Sequence, residues 1–143
     1  MMLSRLLLLG LALSLNTACA AAQDLSTHVL DLARGVGGAG VPVTLDVYHE
    51  GGWALVGRAT TAENGRVESF EPVPEAPGVD GPALYRLTFD VAGYWSGVEM
   101  GEAGPPLPFF PEIVVVFRVE DPSAHTHVPV VVSPYGYSTY RGN

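Results

Sequence analysis

An all-β sandwich, with about eight short antiparallel strands in two sheets, is the fold class that the sequence predicts. Three observations carry that expectation. Apolar and polar residues alternate along short runs, so that one side of each run faces a core. Turn residues such as Glu50-Gly51-Gly52 and Glu63-Asn64-Gly65 interrupt those runs at close intervals. No segment sustains the spacing of a long amphipathic helix.

In chain order, strands are expected near Ser26 to Leu32, Val41 to His49, Trp53 to Thr61, Arg66 to Phe70, Leu84 to Val91, Glu112 to Glu120, His127 to Ser133 and Tyr137 to Arg141. Val43, Leu45 and Val47 point one way while Thr44, Asp46 and Tyr48 point the other. Tyr85, Leu87, Phe89 and Val91 make one apolar face, and Ile113, Val115, Phe117 and Val119 another. Asn64-Gly65 between two extended runs predicts a hairpin. The proline-rich stretches EPVPEAPGVDGP and GEAGPPLPFFP read as loops. Ala92 to Met100 is the place for one short helix, weakened by its glycines.

The first residues carry one charge, Arg5, then an apolar run from Leu6 to Leu15, then small residues. That pattern is a secretory signal peptide, and the run is shorter than the roughly 20 residues a membrane span needs. Cleavage after Ala20 or Ala22 fits the small residues, and the later site divides the chain into a signal over 1–22 and a single domain over 23–143, with the periplasm as its destination. Cys19, the only cysteine, falls within the signal, so the mature chain has no disulfide, and no membrane contact is expected unless Cys19 is lipidated. All seven basic residues are arginines against fifteen acidic ones, and losing Arg5 takes the net charge from −8 to −9. Such a chain is a poor partner for nucleic acid or an anionic membrane, and a small molecule or another protein fits better.

Four stretches hold polar residues that a plain sandwich does not need. LSTHVLD puts His28 on the same strand face as Ser26 and Leu30, where a half-exposed strand histidine is the ordinary interpretation. Arg66 follows the Asn-Gly turn and, by itself, reads as a solvated arginine. His125 and His127 lie two apart on one face, a spacing that suits two metal ligands, but no third ligand is evident and no metal is assigned. The fourth is the closing Tyr140-Arg141-Gly142-Asn143.

Taken in order, LSTHVLD, the Asn-Gly-Arg turn, FFPEI and the terminal H-x-HVP-x-x-x-SPYGYSTYRG resemble the transthyretin-like proteins, and among them the 5-hydroxyisourate hydrolases, from Leu25 to Gly142. The resemblance implies a transthyretin-like antiparallel β-sandwich with one short helix, assembled as a homotetramer with active sites at the dimer-dimer interface. It implies hydrolysis of 5-hydroxyisourate to 2-oxo-4-hydroxy-4-carboxy-5-ureidoimidazoline, with no cofactor. His28, Arg66 and His127 match the family's catalytic positions, and Tyr140, Arg141, Gly142 and Asn143 its substrate-binding terminal signature. The residue types suit the chemistry. Opening a ring amide needs water activated near neutral pH, which an imidazole with a pKa of about 6.5 can do, while an arginine stabilises oxyanion charge and disfavours a protonated base. VPVVV, Val128 to Val132, is apolar on both faces, which agrees with burial between subunits.

Two features depart from the family pattern. DLARGVGGAGVP carries a glycine-rich insertion over Gly35 to Gly40, expected to be mobile and to affect access to His28. Asn143 stands where the family carries serine, replacing a hydroxyl that can pass a proton with an amide that cannot readily do so. The rival readings are a non-catalytic small-molecule carrier of the same fold and a structural envelope module. Neither explains His28, Arg66, His127 and Arg141 appearing together.

Overall fold

The computed structural model of the protein describes residues 24–143, so the expected signal peptide and Cys19 lie outside the described residues. Ten strands form: β1 (Leu25–Asp31), β2 (Val36–Gly37), β3 (Pro42–His49), β4 (Gly52–Thr60), β5 (Arg66–Val67), β6 (Glu71–Pro72), β7 (Ala83–Asp90), β8 (Glu112–Val119), β9 (Thr126–Ser133) and β10 (Gly136–Thr139). One helix, α1 (Ala92–Ser96), follows β7. The strands make two sheets. One runs β10-β9-β1-β2 with β5 also paired to β1, and the other runs β6-β4-β3-β7-β8.

The two-residue alternation places the core between the sheets. Val43, Leu45 and Val47 of β3, Tyr85, Leu87 and Phe89 of β7, and Ile113, Val115 and Val119 of β8 are buried, as their spacing predicts. From the other sheet Leu25 and Val29 of β1 and Val128, Val130 and Val132 of β9 meet them. Each such side chain contributes about 1.5–3 kcal/mol relative to exposure. Trp95 joins this core, its side chain fully buried and its indole N–H without a hydrogen-bond partner among the described residues.

Several details differ from the sequence expectation, each for a local reason. The helix is shorter than Ala92 to Met100, because Gly97 terminates it, donating its N–H to the Tyr94 carbonyl. The expected strand Arg66 to Phe70 survives only as β5 and, beyond Phe70, β6. Asn64-Gly65 does not close a hairpin between β4 and β5. The turn instead carries the chain from one sheet to the other, where Thr27 pairs with Val67 and His28 with Arg66. Gly65 has φ +80°, and a Cβ there would lie 2.3 Å from the Val29 carbonyl oxygen, so this crossing needs a residue without a side chain. The last strand ends at Thr139, leaving Tyr140 and Arg141 outside it.

The glycine-rich insertion is folded rather than loose. It contains β2, paired antiparallel to the end of β1, and Gly38 and Gly40 donate their N–H groups to the Val29 and Thr61 carbonyls. Buried Asp31 accepts hydrogen bonds from Arg34 Nε at 2.8 Å and from the Tyr94 hydroxyl at 2.6 Å, tying the insertion to α1. Most pairings are antiparallel, but β1 and β9 run parallel, in register from Leu25 opposite Thr126 to Asp31 opposite Val132. A parallel pair requires a long connection, and here it spans most of the domain.

Candidate active site

The parallel register builds the site. Ser26 stands beside His127, and His28 stands beside Pro129. Because neighbouring partners in a sheet project to the same side, the outer face of β1 and β9 presents His127, Ser26 and His28 together. The pairing of β5 with the far edge of β1 adds Arg66 next to His28. Four polar side chains from three strands thus share one surface of one sheet.

His28 Nε2 lies 2.8 Å from the Asn64 carbonyl oxygen. A carbonyl only accepts, so Nε2 carries the proton, and the neutral ring offers Nδ1 as its lone-pair nitrogen. The backbone N–H of Arg66 donates to Asn64 Oδ1 at 3.0 Å, which holds the turn that delivers both residues. Among the described residues, no carboxylate forms an ion pair with Arg66. Its positive charge therefore acts on the histidines and on whatever occupies the face.

His127 is held on two sides. Its Nδ1 is 2.7 Å from Ser26 Oγ, and its carbonyl accepts the Gly142 N–H at 2.8 Å. Gly142 packs directly on the ring, since a Cβ there would sit 2.4 Å from His127 Cδ2. Burial, reinforced by the charge of Arg66 and by His125 and His28, holds the His127 imidazolium below its ordinary pKa, against an opposing contact from Ser26. A neutral imidazole at neutral pH is the form that accepts a proton from water.

The sequence-predicted residues divide accordingly. His28, Arg66, His127 and Gly142 converge. Tyr140 and Arg141 instead wall an adjoining cleft of about 520 Å³ beside β8, together with Val116, Arg118, His125 and Thr139. Asn143 is exposed. The cleft does not include His28 or Arg66, whose surface stays open, so this hollow is a neighbour of the histidine face rather than its centre. Sequence reasoning gave no role to Ser26 or Asp24 and considered His125 only as a metal ligand. Ser26 Oγ is 2.9 Å from His125 Nε2, and His125 Nδ1 is 2.7 Å from Asp24 Oδ1. The signal was present in LSTH, where serine precedes histidine by two and so shares its face.

Comparison with known proteins agrees with this geometry. Residues 25–142 match the profile of the HIUase/Transthyretin family. The chain is 41% identical over 119 residues to the 5-hydroxyisourate hydrolase of Deinococcus radiodurans, covering 83% of this chain and 95% of that one. It is 35% identical over 124 residues to the enzyme of the same name from Salmonella typhi, covering 87% and 84%. Among solved structures it resembles 5-hydroxyisourate hydrolase from Klebsiella pneumoniae at 30% identity and a TM-score of 0.60, over 83% of this chain and 98% of that one. Sea bream transthyretin, solved with thyroxine, shares the fold at 23% identity and a TM-score of 0.65, over 83% and 94%. This chain belongs to the HIUase/Transthyretin family.

Proposed function

We propose that the protein hydrolyses 5-hydroxyisourate to 2-oxo-4-hydroxy-4-carboxy-5-ureidoimidazoline, a step of urate breakdown. The observation that carries this reading is the convergence of His28, Arg66 and His127 on one strand face, in a chain whose relatives include 5-hydroxyisourate hydrolases 35% and 41% identical to it. The likeness to transthyretin, at 23% identity, supports a common fold and not a common ligand. In the reaction, water adds to a ring amide carbonyl, the carbonyl oxygen takes up negative charge, and the ring C–N bond then breaks as its nitrogen gains a proton. His127 and His28 between them serve the water and the proton transfers. Arg66 stabilises the oxyanion. Tyr140, Arg141, Gly142 and Asn143 border the substrate, Gly142 by fixing the His127 ring.

The test is the ultraviolet absorbance of freshly oxidised urate with and without the protein. Accelerated decay that falls by about 10²–10⁴-fold in His28→Asn or His127→Asn supports the assignment. Decay at the uncatalysed rate with the native protein removes it.

The same reading includes a homotetramer with sites between dimers, and export to the periplasm through residues 1–22. Exposed Phe109, Val114, Val116 and Tyr137 support the assembly, and so does the openness of the His28 and Arg66 surface, since water exclusion then requires a second copy. A monomeric mass at micromolar concentration counts against the tetramer. Recovery of the protein only from the cytosol counts against export.

A further inference from the structure

We propose that Asp24, His125 and Ser26 form a directional hydrogen-bond chain that fixes His127 in the Nδ1–H tautomer, making its Nε2 the base that takes the proton from water. The inference deepens the hydrolase reading and rests on it for the role of His127. With His125 as the neutral imidazole, its direction follows from donor and acceptor capacity.

Asp24 stands at one end. Its carbonyl accepts the Thr126 N–H at 2.8 Å, which anchors it beside the start of β9, and its carboxylate, an acceptor only, lies 2.7 Å from His125 Nδ1. Nδ1 of His125 must therefore carry the proton. In the neutral ring His125 Nε2 is then a lone pair, and the hydroxyl 2.9 Å away on Ser26 donates to it. Ser26 has one proton to give. Its oxygen faces His127 Nδ1 at 2.7 Å with that proton already committed, so it accepts, and His127 Nδ1 is the donor. Ser26 is 4% exposed, so water does not offer the hydroxyl another partner. The two imidazoles stand nearly parallel, 18° between planes with centroids 6.4 Å apart, and the Ser26 hydroxyl reaches a nitrogen of each.

The consequence is a defined proton balance. As a water oxygen bonds to the ring carbonyl carbon, its proton passes to His127 Nε2 while the carbonyl π pair moves to oxygen. The oxyanion then reforms the carbonyl, the C–N bond breaks, and that proton leaves His127 for the departing nitrogen. During the interval His127 is an imidazolium whose Nδ1–H remains on Ser26, with the Asp24 carboxylate at the far end of the chain. Asp24, His125 and Ser26 are positioning residues, because they act through His127.

Two-bond ¹H–¹⁵N correlation spectra of the whole protein, without substrate and above the titration of His127, read the tautomer directly. The expected result is an Nδ1–H ring for His127, and reversion in Ser26→Ala toward the Nε2–H form that free histidine prefers. Asp24→Asn, whose amide can donate to His125 and reverse the chain, should move the same resonances in the same direction. In kinetics, Ser26→Ala should lower kcat about 10-fold or more with little change in KM, below the 10²–10⁴-fold loss of a whole general base. Kinetic loss is to be read beside the low-pH limb, since Arg66, His125 and His28 act on His127, with Asp24 behind His125, and Ser26→Ala leaves all four in place. An Nε2–H ring in the native protein, or an Nδ1–H ring that persists in both variants, overturns the proposal. Because the spectra need no turnover, they decide the chain independently of whether 5-hydroxyisourate is the substrate.

Discussion

Replacing Gly142 with alanine tests whether the terminal motif acts by packing against the base. Gly142 does not have positive φ, so alanine brings no backbone strain of its own. The added Cβ would lie 2.4 Å from His127 Cδ2, 3.1 Å from Cγ and 3.3 Å from Cβ. Carbon atoms make their best contact at about 3.5–4.0 Å, so roughly 1 Å of displacement must occur, either in the imidazole or in the chain end. His127 is held by Ser26 and by the backbone of β9, whereas residues 140–143 leave the sheet after Thr139. Either movement disturbs the site, since the Gly142 N–H also bonds the His127 carbonyl. A misplacement of about 1 Å at a reacting group costs up to about 10²-fold in rate, or about 2.7 kcal/mol of barrier. The assay is initial-rate decay of 5-hydroxyisourate followed by ultraviolet absorbance, alongside thermal unfolding. We expect kcat/KM to fall by 10- to 100-fold, on the order of the stated misplacement cost, with the melting temperature nearly unmoved. Gly136→Ala is the control, because its Cβ would meet only Ser133 Oγ, at an ordinary 3.8 Å. A Gly142→Ala enzyme with native kcat/KM refutes the packing argument.

Three other outcomes are expected. The low-pH limb of kcat/KM should lie below 6.5, because protonation removes the base and burial, then Arg66, lowers the His127 pKa; Arg66→Gln should move the limb upward while lowering the rate about 10²-fold or more through lost oxyanion stabilisation. Asn143→Ser, measured by the same absorbance assay, should raise kcat if the position relays a proton, and an unchanged kcat restricts it to binding. Trp95→Ala should cost about 3–5 kcal/mol of unfolding free energy by chemical denaturation, since the largest fully buried side chain would leave a cavity under α1.

The strands were legible because alternation is a local property. Ile113, Val115 and Val119 declare a buried face within one short run, and folding only had to supply the partner. Pairing was not legible in the same way. Ser26 and His127 lie 101 positions apart, and nothing in either segment specifies that they run parallel and in that register. The Asn-Gly turn misled for a related reason. Its local chemistry is that of a hairpin, but the close approach of Gly65 to Val29 directs the chain across to β1, a contact that exists only once both sheets are formed. His28, Arg66 and His127 were reached through a motif resemblance, whereas Ser26 was passed over because serine on a half-exposed strand has no signature of burial. Its cover comes from the hydrogen-bonded histidines beside it.

The position of β1 explains why a sandwich strand, rather than a loop, holds this chemistry. It is an interior strand, paired with β9 on one edge and with β2 and β5 on the other. Its inward side is fully committed: Leu25 and Val29 to the core, Thr27 through its hydroxyl to the Val128 carbonyl at 2.7 Å, and Asp31 to Tyr94 and Arg34. A strand locked on both edges and on one face cannot shift its remaining face by a fraction of an ångström without breaking those contacts. Ser26 and His28 inherit that rigidity directly, and His127 inherits it through seven paired positions along β9. Catalytic groups on rigid elements keep their geometry better than groups on loops. The chain end is tied to the same strand by a different route, since Gly142, beyond the sheet, donates its N–H to the His127 carbonyl and packs on the His127 ring.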